Sequence, residues 1–245
     1  MSKFKFPTEE IELPSQGYLY PETSPLSSGK IEMKYMTTRE EDILTNQNYI
    51  KQGIVLDKLL QSMIVTPINY DELLAGDKDG IMLAARILGY GADYSFEYKG
   101  EQVTIDLSAV EARPLKTEWM TKGTNLFEFT TPKTGTKITF SLLTHGDEKA
   151  ISADLKGLQK VNKNASAELS TRFKHMIKSV EGSTDAKDIR EFVDNYFLAS
   201  DSKAFRNFVK QVQPGVDLLF DFEGPDGVEE GVQVPIGVSF FWPES

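Results

Sequence analysis

The chain has 245 residues, 40% hydrophobic and 26% charged, a composition that is typical of folded globular proteins and excludes collagenous and disordered chains. Its formal net charge of −10 argues against broad nucleic-acid binding, which needs clustered Lys and Arg, and is compatible with docking onto a basic partner. The absence of cysteine excludes disulfides and thiolate metal sites. No apolar run approaches the ~18 residues of a membrane span, and the start of the chain lacks a hydrophobic stretch, so we expect neither a membrane segment nor a secretory signal.

Residues 1–36 are predicted to be an extended N-terminal arm. Pro14, Pro21 and Pro25 prevent a helix here and confine any strand to the edge of a sheet. The end of the segment alternates polar and apolar residues, which is the period of a half-buried strand. Because apolar residues are few for its length, we expect this arm to lie outside the core and to pack on the chain's own helices or on a neighbour.

Residues 37–91 are predicted to be helical. The run Thr37-Thr38-Arg39-Glu40-Glu41 offers a capping box in two adjacent registers, either of which begins a helix. A second helix is expected over residues 54–64, and a third carries the apolar residues between 81 and 88. The third helix is apolar on several sides and should be buried, and Gly89-Tyr90-Gly91 should end it.

Residues 92–146 are predicted to form an inserted antiparallel β subdomain, because short alternating runs are separated by turn residues. The two expected hairpins pair residues 94–98 with 103–107, and residues 126–129 with 138–142.

Residues 147–245 are predicted to be a helical segment with a C-terminal hairpin. Three amphipathic stripes indicate helices, the first with apolar residues from Leu169 to Val180, the second from Ile189 to Phe197 and the third from Phe205 to Val212. A final hairpin should pair residues 216–223 with 232–241. The prediction is therefore an α+β fold with a largely helical core, in which residues 37–91 and 147–245 form one core domain.

The sequence suggests no catalytic, cofactor or metal site. His145 and His175 have no second histidine at helical spacing, so no helical zinc site is present. Asp77 begins a run that resembles a calcium loop, but the required glutamate is missing, and acidic capping of the following helix is the better interpretation. No phosphate-binding loop or nucleophile elbow occurs, and adjacent carboxylates are best interpreted as solvated or capping groups. We therefore predict a protein that is not an enzyme and needs no cofactor.

Arg86 is the only charged residue between Ile81 and Leu88, and so it should lie inside the helical core. A buried arginine needs a carboxylate or carbonyl partner, which makes a structural role the main hypothesis. Binding to a partner protein is the alternative.

Phe240, Phe241 and Trp242 form an aromatic cluster near the C-terminus. Three consecutive side chains cannot all face the same side of a strand. One interpretation is a strand buried on both faces. The other is an edge strand, favoured by the nearby prolines, that presents these rings to another subunit as an anchor.

Several segments resemble the baseplate hub proteins of T-even-type contractile-tailed phages. The resemblance spans nearly the whole chain, and the first ninety residues carry most of it. The segments are residues 10–21 (EIELPSQGYLYP), 29–33 (GKIEM), 36–44 (MTTREEDIL), 57–60 (DKLL), 76–79 (GDKD), 84–91 (AARILGYG) and 240–243 (FFWP).

The resemblance implies a structural component of the baseplate hub, located in the virion after synthesis in the host cytoplasm, with other hub or tail proteins as partners. No nucleic-acid partner is expected, because the net charge is acidic. It implies no catalytic residues, and it leaves open an oligomer within a larger assembly. The alternative is an assembly factor that binds hub proteins transiently and is absent from the mature particle. A cell-wall hydrolase is a distant third hypothesis.

Overall fold

The computed structural model describes residues 7–161, 167–224 and 227–241, and within these ranges the chain has an α+β fold. The helices are α1 (Thr38–Leu44), α2 (Gln47–Gln52), α3 (Val55–Met63), α4 (Ala75–Tyr90), α5 (His145–Val161), α6 (Glu168–Met176), α7 (Ala186–Glu191) and α8 (Ala199–Val212). The strands are β1 (Thr8–Glu12), β2 (Lys30–Lys34), β3 (Asp93–Tyr98), β4 (Glu101–Asp106), β5 (Phe127–Thr130), β6 (Lys137–Phe140), β7 (Ile177–Val180), β8 (Leu219–Gly224) and β9 (Gly227–Gln233). Among the described residues, all pairs of these strands are antiparallel and form four small sheets, in the orders β1–β2, β3–β4, β5–β6–β7 and β8–β9.

Residues 7–36 are largely extended, as predicted, but they belong to the core. β1 and β2 form a hairpin, and Ile31 and Met33 of β2 are buried on one face of it. Leu13 and Leu26 in the connecting turns are buried as well. The expectation that this segment lies outside the core is therefore wrong for its described residues. A low count of apolar residues was misleading, because those that are present converge on one side.

Helix α4 is the central element of the fold. It is buried on several sides, as predicted, and Gly91, with φ of +84°, ends it as a C-cap. Two of its glycines are sites of close approach. A Cβ atom on Gly76 would lie 1.8 Å from the carbonyl oxygen of Pro214, and one on Gly80 would lie 2.6 Å from Cγ of Pro14. The chain therefore packs against α4 from both its N-terminal and its C-terminal regions.

The two predicted hairpins of residues 92–146 are present and pack against different neighbours. The β3–β4 hairpin contacts the C-terminal hairpin, with the rings of Phe96 and Phe220 at 5.1 Å and those of Tyr98 and Phe222 at 5.0 Å. The β5–β6 hairpin instead gains a third strand, β7, which pairs with β6. The strand-rich region is thus tied to two separate parts of the later chain.

The helix predicted from Leu169 to Val180 is wrong in its last four residues, which form strand β7. Helix α6 ends at Met176, and the next four residues pair with β6, with Ile138 opposite Val180. The same apolar residues satisfy a helical stripe and an alternating strand over so short a run, and pairing with β6 decides between them.

The C-terminal hairpin is shorter than predicted. β9 ends at Gln233, just before Pro235, and Val238–Phe241 form a short 3-10 helix. The predicted strand over residues 232–241 is therefore wrong beyond Gln233. Proline cannot donate a hydrogen bond to a strand ladder, which accounts for the early end.

Candidate interaction surface

Arg86 lies in the core of the fold, as predicted, and only 3% of it is exposed. Its Nη1 donates to the carbonyl oxygen of Gly91 at 2.8 Å, and its Nη2 donates to that of Asp93 at 3.0 Å. The rings of Tyr90 and Tyr94 lie 5.5 and 5.6 Å from the guanidinium carbon. Arg86 therefore joins the end of α4 to the start of β3, and its burial leaves it unsuited to binding a partner.

Phe240 and Phe241 are fully buried inside this chain. Phe240 packs edge-to-face on Tyr94 at 4.9 Å, and the two phenylalanine rings contact each other at 5.2 Å. The hypothesis of an exposed aromatic anchor on an edge strand is wrong for these two residues, since their short 3-10 helix turns both rings inward. Trp242 lies outside the described residues.

Three buried carboxylates accept structural hydrogen bonds, and sequence reasoning missed the partners of two of them, Asp77 and Asp201. Asp77 accepts hydrogen bonds at 2.7 Å from the backbone N–H of Ser15, the hydroxyl of Ser15 and the hydroxyl of Tyr20. Burial raises the pKa of Asp77, and these donors oppose that shift. Asp77 is thus more than an acidic cap, because it fixes the N-terminal segment to α4.

Glu40 and Asp201 act in the same way elsewhere. Of the two predicted capping boxes, the one between Thr37 and Glu40 is formed, because Glu40 accepts hydrogen bonds from the N–H and the hydroxyl of Thr37. Burial alone would raise the pKa of Glu40, but hydrogen bonds from Lys34, Ser62 and Thr37 outweigh burial and lower it to about 2. Asp201, near the start of α8, accepts from the N–H of Lys133 at 2.9 Å and of Thr134 at 3.2 Å, so it holds the β5–β6 turn against α8.

His145 is the most buried histidine of the described chain, with 6% exposed. Its Nδ1 lies 3.8 Å from Asp57 and its Nε2 lies 3.9 Å from Asp71, and Tyr70 packs edge-on against the ring. Burial lowers the pKa of His145, although both carboxylates oppose that shift. The two carboxylates are themselves paired with lysines, Asp57 with Lys78 and Asp71 with Lys149, as expected for a structural charge cluster.

A groove of about 610 Å³ lies on the surface beside α7. It has an apolar floor and an acidic rim, and we name it the acidic groove. Its lining residues are Thr134, Thr136, Val180, Glu181, Asp188, Glu191, Phe192, Asn195, Tyr196 and Leu198.

A π-helical turn shapes this groove. Helix α7 begins at the N-cap Asp185 and continues into a π turn over Phe192–Tyr196, closed by the hydrogen bond from the N–H of Phe197 to the carbonyl of Phe192. Phe192 stays in the core, whereas Tyr196 is 61% exposed. The extra residue of a π turn rotates the subsequent residues around the helix axis, which explains why Tyr196 leaves the predicted apolar stripe.

The opposite face of α7 borders a second groove of about 790 Å³ in which basic side chains are more frequent. Two of these basic side chains contact carboxylates: Lys174 pairs with Asp194 at 2.6 Å, and His175 contacts Asp154 at 2.9 Å. Lys178 donates to the carbonyl oxygen of His175, and neither Lys178 nor Arg190 forms an ion pair with a described residue. Carboxylates of the chain therefore compensate only part of the positive charge of this groove.

Within the described ranges, none of the helices combines the length and the hydropathy of a membrane-spanning segment. In the same ranges, no group of three or more His, Asp or Glu side chains is arranged to hold a metal ion. The chain matches no protein-family model, no curated protein and no solved structure.

Proposed function

We propose that this chain is a non-enzymatic structural component of the baseplate hub of a contractile-tailed phage, where it acts through protein–protein contacts. In this proposal it is made in the host cytoplasm and becomes part of the virion. Other hub and tail proteins are its partners.

The motifs that carry the resemblance support the proposal, because they meet in one part of the fold. Ser15 and Tyr20 come from the first motif and bond to Asp77 of a later one. Arg86 bonds to the carbonyl of Gly91, and both belong to a third. The first motif is therefore bonded to α4, the helix that carries two of the later motifs.

The acidic groove is the observation that favours a binding role. Glu40, Asp77 and Asp201 are buried, and each accepts hydrogen bonds from other residues of the chain, so each has a structural role. Tyr196 and Leu198, by contrast, are large side chains with 61% and 40% exposed on the walls of a groove. Clustered exposed apolar residues with a polar rim are typical of protein-interaction sites.

Co-purification tests the proposal directly. The chain would be co-expressed with each tail and baseplate protein encoded by the same phage genome and analysed by size-exclusion chromatography. We expect it to co-elute with at least one hub protein at a fixed ratio. Separate elution from every hub and tail protein would contradict the proposal.

A further inference from the structure

We propose that the acidic groove binds a segment of a partner protein in which an apolar side chain is flanked by Lys or Arg residues. The groove defines the chemistry of the partner segment, and the identity of the partner as another hub protein rests on the proposed function.

The apolar part of the recognition comes from the groove itself. Phe192 and Val180 line it, and Phe192 is anchored in the core by stacking on Phe197 at 5.0 Å. Tyr196 and Leu198 extend from the π turn and from the start of α8. An apolar side chain inserted between them would bury area that the isolated chain leaves in water.

The charge of the rim selects basic flanks. Glu181, Asp188 and Glu191 form no ion pair with any residue in the described parts of the chain. Glu181 accepts from the N–H of Lys137, and Asp188 accepts from the hydroxyl of Ser183, so both carboxylates are held in place by neutral donors. Lys or Arg on the partner would supply the missing counter-charges.

The same charges disfavour other occupants. Nucleic acid and anionic lipid surfaces present phosphates, which the acidic rim repels. A second copy of this chain carries a net charge of −10, so the overall repulsion between two copies opposes their association. A basic protein segment is the class of ligand that satisfies both the rim and the apolar floor.

The test compares two double variants with the same change in net charge. Glu191→Lys with Tyr196→Ser alters the groove at two exposed positions. The matched control is Glu97→Lys with Val228→Ser, which alters an exposed glutamate on β3 and an apolar side chain on β9 that is 61% exposed, as Tyr196 is. Both variants should keep the melting temperature of the wild-type chain, because none of the four side chains is buried.

The probe is a fluorescein-labelled peptide of sequence KKLKFKLKK, measured by fluorescence anisotropy. Two comparison peptides replace the apolar residues with serine or the lysines with glutamate. We expect the wild-type chain to bind the first peptide at least about 10-fold more tightly than either comparison peptide. The groove variant should lose about 10-fold in affinity, and the control variant less than about 2-fold.

Equal losses in the two variants would overturn the inference, because the peptide would then respond only to overall charge. Equal binding of the serine peptide would overturn it as well. If the wild-type chain co-elutes with a hub protein but does not prefer the first peptide, this inference fails while the proposed function stands. Groove-dependent peptide binding without hub association supports the inference about chemistry and removes the hub assignment.

Discussion

Asp77 holds two distant parts of the chain together through a single buried carboxylate. Its donors, Ser15 and Tyr20, precede it by 62 and 57 positions. The hydroxyl of Tyr20 also accepts from the N–H of Leu74 at 2.9 Å, so the same group serves both segments. A local pattern shows an aspartate in the first turn of a helix, which predicts a cap. The burial of that aspartate depends on contacts that no local pattern contains.

The contribution of a buried charged side chain to stability can be measured at Arg86. Arg86→Met removes two charge-assisted hydrogen bonds to the carbonyls of Gly91 and Asp93, and it should lower the free energy of unfolding by about 1.5–3 kcal/mol. The measurement is urea denaturation followed by circular dichroism. Arg39→Met, at an exposed position, is the control and should change stability by less than about 0.5 kcal/mol. An unchanged midpoint for Arg86→Met would show that these bonds contribute nothing.

His145 should make stability depend on pH. Burial lowers its pKa in the folded chain below the value of about 6.5 that is typical of an unfolded chain. The folded state then binds fewer protons than the unfolded state. The stability that neutral His145 contributes is therefore fully present above pH 6.5 and is lost as the pH falls through the pKa of the folded state.

The measurement is the urea midpoint between pH 7.5 and pH 5.5. Over this range His145→Gln should lose less stability than the wild-type chain, whereas the control His175→Gln, which leaves His145 in place, should retain the decline. A decline in His145→Gln as steep as that of the wild-type chain would assign the pH dependence to other groups.

Among the secondary-structure elements, the sequence correctly predicts those that depend on interactions between residues close together in the chain. The amphipathic spacing predicts α3 and α8, and Gly91 ends α4 as its position suggests. β7 and the π turn were missed. β7 exists because β6 offers it a pairing edge, and the π turn satisfies packing of Phe192 and Phe197 that the sequence alone does not specify.

Glycines in two helices give opposite expectations for the same substitution. Gly76→Ala places a Cβ atom 1.8 Å from the backbone oxygen of Pro214, so α4 or its neighbour must shift. We expect a loss of about 1–3 kcal/mol, although alanine is the better helix former. Gly157→Ala in α5 meets no atom within 4 Å and should stabilise the chain by about 0.5–1 kcal/mol. Thermal denaturation of both variants decides this, and stabilisation by Gly76→Ala would refute the close contact.

At the scale of the whole molecule, the chain closes by bringing its C-terminal region onto its first half. The hydroxyl of Tyr94 donates to the carbonyl of Pro235, 141 positions later, at 3.2 Å. Phe240 and Phe241 then fill the core beside α4 and β3. The sequence is compatible with either a buried or an exposed aromatic cluster, because residue type alone does not show whether the chain's own core has room for these rings.

Truncation of one ring measures this closure. Phe241→Ala should lower the free energy of unfolding by about 3–5 kcal/mol, the usual range for a fully buried phenylalanine. Leu219→Ala, at a side chain that is 48% exposed, is the control and should cost less than about 1 kcal/mol. Chemical denaturation gives both values. Similar small losses in both variants would mean that the C-terminal rings lie at the periphery and remain available to a partner.

Quantitative mass spectrometry of purified phage particles distinguishes a structural place in the baseplate hub from a transient one. For a structural subunit, we expect peptides of this chain at a fixed whole-number ratio to a tail protein of known copy number. If the chain is absent from mature particles, the structural assignment is contradicted. Its presence in hub intermediates alone would then identify it as an assembly factor.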